Sequence, residues 1–101
     1  MTVFENKILA LVKKIPKGKI STYKIIAIKL GNKNLARAIG NALSKNPHLF
    51  KIPCHRIVKS NGELGGYKLG LAKKKKILQD EGIKVKGNKI VNFKSYIYKF
   101  N

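Results

Sequence analysis

Acids are the scarcest class of side chain in this sequence. Glu5, Glu63, Asp80 and Glu81 stand against 23 lysines and arginines, for a formal net charge of +19. A surface left so uncompensated attracts polyanions, and nucleic acid is the natural partner. A lysine-biased proteome would produce a similar count with no nucleic acid involved, so charge alone leaves both readings open. Cysteine is rarer still. Cys54 is the only one, which excludes an internal disulfide, and with only two histidines no recognisable zinc spacing can be built. A metal-free, cofactor-free protein of a reducing compartment, the cytoplasm, is expected. No long apolar run opens the chain, because Glu5 and Lys7 interrupt Met1 to Ala10, so neither a signal peptide nor a membrane span is expected. At 101 residues, without internal repeats or linkers, the chain is expected to form one domain over 1–101. Arginine is rare too. Arg37 and Arg56 interrupt a chain that otherwise writes lysine, and a planar, multidonor guanidinium is not interchangeable with an ammonium.

The apolar residues that are present fall at helical intervals. Thr2-Val3-Phe4-Glu5 has the spacing of a capping box, and Val3, Phe4, Ile8, Leu11, Val12 and Ile15 follow before Pro16 and Gly18, which predicts a helix over 3–14. Ser21-Thr22 offers a cap for a second helix over 23–30, with Ile25, Ile26 and Leu30 inward and Gly31 as its stop. Asn34 can cap a third, from Leu35 to about Ser44, ending before Asn46-Pro47. Two helices joined by a tight turn containing glycine fit a helix-turn-helix. Residues 51–69 read as irregular or short-stranded, with a pliable Gly65-Gly66. Gly70 to Glu81 returns to helical spacing with Leu71, Ile77 and Leu78 inward. The run Lys73 to Lys76 is expected as a solvated face with phosphate contact as a secondary role. Ile83 and Val85 against Ile90, around Gly87-Asn88, predict a hairpin, and the aromatic end from Phe93 to Phe100 is expected to wrap the core.

Two local features bear on chemistry. The third helix presents Ala36, Arg37, Gly40 and Asn41, a face small apart from one arginine, and an interior helical glycine costs roughly 1 kcal/mol against alanine. Either a close backbone approach or tight packing against the second helix would account for it. Cys54 is followed by His55, and a thiol needs a base or a positive environment to become the nucleophilic thiolate. A histidine serves as that base when an acid orients its other ring nitrogen. Among four acids, Glu81 stands at a helix end that disfavours negative charge, which suggests a use. Taken alone, the Cys-His pair fits a merely buried thiol better than a nucleophile.

The segment "IPCHRIV" (52–58) resembles the active-site motif of the O6-alkylguanine-DNA alkyltransferases, the methylated-DNA–protein-cysteine methyltransferases. "GKISTYKIIA" (18–27), "ARAIGNALSKNP" (36–47), "GGYKLGLAKKKKILQDEG" (65–82) and "IVNFKSY" (90–96) match the core domain of that family in order and spacing. The resemblance implies a mainly α, winged-helix-like domain with a helix-turn-helix and short strands. It implies a monomer that binds duplex DNA containing O6-alkylguanine through the minor groove, rotates the lesion out of the stack and takes its alkyl group irreversibly onto Cys54. Cys54 would then be the nucleophile, His55 its water-linked base, Glu81 the orienting acid and Asn46 the hinge amide between recognition helix and active-site loop. Tyr23 would donate toward N3 of the base, while the Ile57 carbonyl, Tyr67 and Lys68 would line its pocket, the Lys68 N–H facing O6. Arg37 would fill the vacated stack and Ala36, Gly40, Asn41, Thr22 and Lys24 would meet the DNA. Arg56 reads as structural.

The departures are informative. The resemblance begins at the first helix, so the extra N-terminal domain of many members is expected to be absent. Lys68 and Leu69 are bulkier than in relatives with small residues there, which disfavours large adducts, and Asn41 stands where a second glycine is often found. Alkyltransferase-like proteins, which bind the lesion without repairing it, commonly replace the cysteine by tryptophan; this chain keeps Cys54 and has no tryptophan. Such a lesion-binding module is the alternative reading, and a general basic chromatin protein is a more distant one.

Overall fold

The computed structural model describes residues 2–100. Helix α1 (Val3–Lys13) starts at the expected capping box: the Glu5 N–H donates to the Thr2 hydroxyl oxygen and the Thr2 N–H to the Glu5 carboxylate, each at 3.0 Å. Strand β1 (Ser21–Thr22) leads directly into α2 (Tyr23–Lys29), capped by the Thr22 hydroxyl. Gly31 then turns the chain at φ 88°, left-handed backbone that a side chain would resist. Helix α3 (Ala36–Ser44) follows. Its start corrects the expected cap. The Asn34 N–H is held by the Asn32 side chain at 2.9 Å, and the residue at the cap position, Leu35, supplies no side-chain bond.

A single turn of 310 helix, Cys54–Arg56, runs into β2 (Ile57–Val58), which pairs in parallel with β1 through Ser21 opposite Ile57 and Thr22 opposite Val58. That pairing sets the Cys54 turn beside the start of the helix-turn-helix. Helix α4 (Leu71–Asp80), a hairpin of β3 (Val85–Lys86) and β4 (Lys89–Ile90), and a 310 turn at Phe93–Tyr96 complete the chain. The mainly α, winged-helix-like expectation holds, and among the described residues no helix is long and apolar enough to cross a membrane.

Helices α1, α2 and α3 enclose one apolar cluster around Ile8, Val12, Ile26, Ile39 and Ala42, and Cys54 and Ile57 belong to it. Ile20, Val58, Leu64, Leu78, Ile83 and Ile90 make a second. The aromatic tail covers both, with Tyr98 and Phe100 on the first and Phe93 and Tyr96 on the second. Two expectations for α4 fail together. Leu71 faces outward, and Lys74, expected on a solvated face, is fully buried.

Candidate functional site

The turn that carries the thiol is built by its proline. Pro53 sits at φ −79°, ψ 68°, and the Cys54 N–H donates to the Ile52 carbonyl at 2.8 Å, an inverse γ-turn for which the pyrrolidine ring presets φ. The Arg56 N–H then closes onto the Pro53 carbonyl at 2.9 Å, giving the short 310 turn that places Cys54 on one side and His55 on the other. Asn46 fastens this loop to the end of α3: its Nδ2 donates to the Ile52 carbonyl at 2.7 Å, and its Oδ1 accepts from the His48 N–H at 2.9 Å. The Lys45 ammonium, next in sequence, bonds the Glu5 carboxylate at 2.8 Å and so ties the same helix end to α1.

Behind the thiol lies an ionic knot. His55 Nε2 donates to Glu81 Oε2 at 3.0 Å, while Arg56 Nε and Nη2 reach the two Glu81 oxygens at 2.9 and 2.6 Å and Arg56 Nη1 donates to the Ile15 carbonyl at 2.7 Å. The structural reading of Arg56 therefore holds: it joins the end of α1, the thiol turn and the end of α4. Glu81 occupies the C-cap of α4, and its carboxylate is consumed by the guanidinium and imidazole. Burial raises its affinity for a proton, but hydrogen bonds from Arg56 and then His55 outweigh this and hold the carboxyl below its ordinary range. Burial pushes His55 the other way, toward the neutral imidazole, against the pull of Glu81. A carboxylate accepting at Nε2 requires the proton there, which leaves Nδ1 as a lone pair, and Nδ1 is buried with no hydrogen-bond partner among the described residues. The ring contacts Phe50, 5.9 Å away between centroids and tilted by 51°, and Tyr67, 6.2 Å away and edge-on.

In front of the thiol is a cavity of about 310 Å³, walled by Tyr23, Gly40, Cys54, Gly66, Tyr67 and Lys68, with Leu43 and Ser44. Burial, and then the neighbouring Cys54, push both tyrosines above the ordinary phenol range, so both are O–H donors at neutral pH. The cavity opens through Tyr23, Gly40 and Gly66 into a groove of about 1070 Å³ that also takes in Lys24, Ala36 and Arg37. The structure thus brings together Cys54, Tyr23, Tyr67, Lys68 and Gly40 at one cavity, with His55, Glu81 and Asn46 behind it and Ala36, Arg37 and Lys24 along its approach. Three expected residues stand elsewhere. Ile57 does not line the cavity, and its carbonyl accepts from Lys74 at 2.6 Å. Thr22 is buried with its hydroxyl oxygen engaged in capping α2 and lines only a separate groove beside Lys24, and Asn41 lies outside both cavity and groove.

Lys74 is the residue that sequence reasoning missed. Its ammonium donates to the carbonyls of Ile57 and Leu64 and, at 3.0 Å, of Gly66, so three N–H bonds meet three acceptors from β2 and the cavity-wall loop. Burial draws its pKa down to about 8, which leaves it largely charged at neutral pH. Nothing local distinguishes it from its three lysine neighbours. Phe50 was missed as well: it holds left-handed backbone, φ 74°, beside His55, a conformation costly for a non-glycine residue.

The structure decides between the two accounts of Gly40. A Cβ placed there meets no atom within 4 Å, so packing against the second helix does not demand glycine. The open space leaves room for a close approach to the backbone of α3. Gly40→Leu is accordingly expected to leave the fold intact, with α3 more favourable by up to about 1 kcal/mol, while weakening duplex binding at least tenfold. Thermal unfolding and a binding titration check the two halves; a variant that binds as the parent does would remove Gly40 from the interface.

A helix-turn-helix is joined here to a buried thiol, with a histidine–carboxylate pair behind the thiol and a cavity before it, the scaffold of a DNA-binding domain. The sequence model for the 6-O-methylguanine DNA methyltransferase DNA-binding domain matches residues 3–83, and the chain belongs to that family. It is similar to a methylated-DNA–protein-cysteine methyltransferase of Saccharolobus solfataricus, 49% identical over 81% of this chain and 52% of the relative. One from Methanothermobacter thermautotrophicus is 38% identical over 85% of this chain and 48% of its own length. The chain therefore spans about half the length of the curated relatives it matches. Among solved structures, S. pombe Atl1 in complex with DNA containing O6-carboxymethylguanine aligns at TM-score 0.84 and 31% identity, covering 98% of this chain and 97% of Atl1. Mycobacterium tuberculosis OGT in complex with DNA aligns at 0.78 and 34%, covering 81% of this chain and 50% of that one.

Proposed function

We propose that this protein repairs DNA by moving the methyl group of O6-methylguanine in a duplex onto its own Cys54. The observation that carries this reading is the thiol at the floor of a cavity that opens onto the Arg37 face of α3, with the His55–Glu81 pair behind it. A guanine stacked and paired in duplex DNA cannot present its O6 substituent to an attacking thiolate, so the base must swing out. Arg37, exposed on the approach, fills the place it leaves, and Gly40 and Ala36 let the backbone of α3 come close. His55 Nδ1, relayed by a water, takes the Cys54 proton; the sulfur attacks the methyl carbon, and the C–O bond breaks with its electrons passing to the guanine. The Tyr23 hydroxyl donates toward N3 and the Lys68 N–H toward O6, stabilising the departing base as charge grows on it. The product thioether cannot be hydrolysed by this site, so each chain reacts once. One chain, as a single domain over 1–101, carries every residue of the scheme, and a lone cysteine suits a reducing compartment; we read a monomer of the cytoplasm.

A duplex labelled in the O6-methyl group tests this directly. The wild-type protein is expected to take up label until one methyl per chain is bound and then stop, whereas label that turns over or never transfers contradicts the reading. Arg37→Ala is expected to slow uptake from duplex at least tenfold while leaving reaction with the free O6-methylguanine base near the wild-type rate. Equal losses on both substrates would refute the stack-filling role.

The alternative, binding of the lesion without transfer, draws on the likeness to Atl1 over nearly the whole of both chains. Retention of the cysteine favours transfer.

A further inference from the structure

The match to the family's DNA-binding domain stops at residue 83, but the chain continues through the β3–β4 hairpin into a basic, aromatic tail. That tail is firmly seated. The Ile20 N–H donates to the Tyr96 carbonyl at 2.9 Å and the Tyr98 N–H to the Ile20 carbonyl at 2.8 Å, so residues 96–98 run beside the entry to β1. Phe93 packs onto the turn after β2 so closely that a Cβ at Gly62 would fall 2.6 Å from its ring. These two fastenings hold Lys94 and Lys99 against the start of α2, where they share a groove with Lys24 and Ser60.

Lys24 and Ser60 also line the larger groove that passes Arg37 and Lys59 and reaches Gly40 and Gly66. Gly40 and Gly66 in turn line the cavity over Cys54. Thiol, recognition helix and tail therefore share one continuous concave path. Lys24, Lys59, Lys94 and Lys99 are all exposed on it, and none is ion-paired among the described residues. Three of the four acids are engaged elsewhere, Glu5 by Lys45, Asp80 by Lys76 and Glu81 by Arg56 and His55. Only Glu63 lines the path, and its carboxylate accepts from Asn61 Nδ2 at 2.5 Å. A row of uncompensated ammonium groups continuous with a DNA-reading helix matches a polyphosphate backbone.

We propose that the tail is part of the DNA interface, with Lys94 and Lys99 joining Lys24 to hold backbone phosphates of the duplex flanking the lesion. The proposal rests on the DNA-repair reading above. Each phosphate contact steepens the dependence of log affinity on log salt by about 0.9, so losing two should flatten the slope by about 1.8. The test compares duplex binding over a salt series for the wild-type protein, the Lys94→Gln/Lys99→Gln double variant and a Lys7→Gln/Lys13→Gln control. The control loses the same charge from exposed positions on α1 that line none of the three cavities. The tail variant is expected to show the flatter slope with unchanged thermal unfolding and unchanged reaction with the free O6-methylguanine base, and the control to keep a slope near that of the wild type. A tail variant whose slope equals the control's overturns the proposal and leaves the repair reading standing. A wild-type protein with no salt-dependent duplex binding overturns both.

Discussion

Glu81→Gln is expected to destabilise the protein by about 3 kcal/mol, because it leaves a largely buried guanidinium without its counter-charge, and to slow methyl transfer roughly a hundredfold. The carboxylate accepts two bonds from Arg56 and one from His55, and a neutral amide cannot serve all three. With the acid gone, His55 loses the group that fixes its proton on Nε2, so Nδ1 is no longer held as the free lone pair. Lesion binding should survive in the folded fraction, since Glu81 lines neither cavity nor groove. Chemical denaturation measures the first effect; single-turnover transfer, with binding followed in parallel, measures the second. Transfer at the wild-type rate would remove Glu81 from the network. The same knot sets a pH dependence. Its folded carboxyl lies below the ordinary value, so its contribution is complete above the unfolded pKa near ~4.3 and is lost as pH falls through the folded one. Wild-type stability is expected to fall on that acid side, and the drop should be smaller in Glu81→Gln, where the Glu5 carboxyl, lowered to about 2 by its bond with Lys45, still contributes.

Lys74→Met is expected to cost about 3 kcal/mol or more, since it strips the donor from three carbonyls of which two or more stay buried, and to slow reaction with both duplex and free base. The free base matters here. Gly66 forms part of the cavity wall, and one of the three bonds holds its carbonyl, so loosening the wall harms chemistry that does not depend on DNA. Lys73→Met, one residue away on the exposed face of α4, should change stability by less than about 0.5 kcal/mol. Denaturation of the two variants side by side, with free-base kinetics on the folded material, separates a structural tie from a solvated lysine. Equal behaviour would return Lys74 to the surface role that its neighbours have.

What could be read from the residues was what local chemistry decides. The Thr2–Glu5 capping box, the Thr22 cap, the glycine stop at Gly31 and the Gly87-Asn88 hairpin are each written in a few adjacent residues, and each formed as expected. Asn34 misled because Asn32, two residues earlier, captures its N–H in a turn of its own. Lys74 was illegible for a different reason: four identical lysines in a row carry no local mark of which one will meet three carbonyls contributed by residues 8 to 17 positions away. At the site, proximity of Cys54 and His55 was trivial, but Glu81 lies 26 residues further on, and its pairing with His55 was anticipated through the family resemblance and its odd place at a helix end. The Ile57 carbonyl was expected in the cavity on the family resemblance alone, and nothing in the sequence showed that the Lys74 ammonium would take it.

The central claim is that Cys54 is a methyl acceptor. The most direct measurement is the intact mass of the protein after incubation with duplex DNA carrying a single O6-methylguanine, followed by peptide mapping. The expected result is a gain of one methyl group located on Cys54, absent with undamaged duplex and absent in Cys54→Ser. An unchanged mass in the presence of tight, lesion-selective binding would contradict it and make the protein a recognition module in which the thiol does not react.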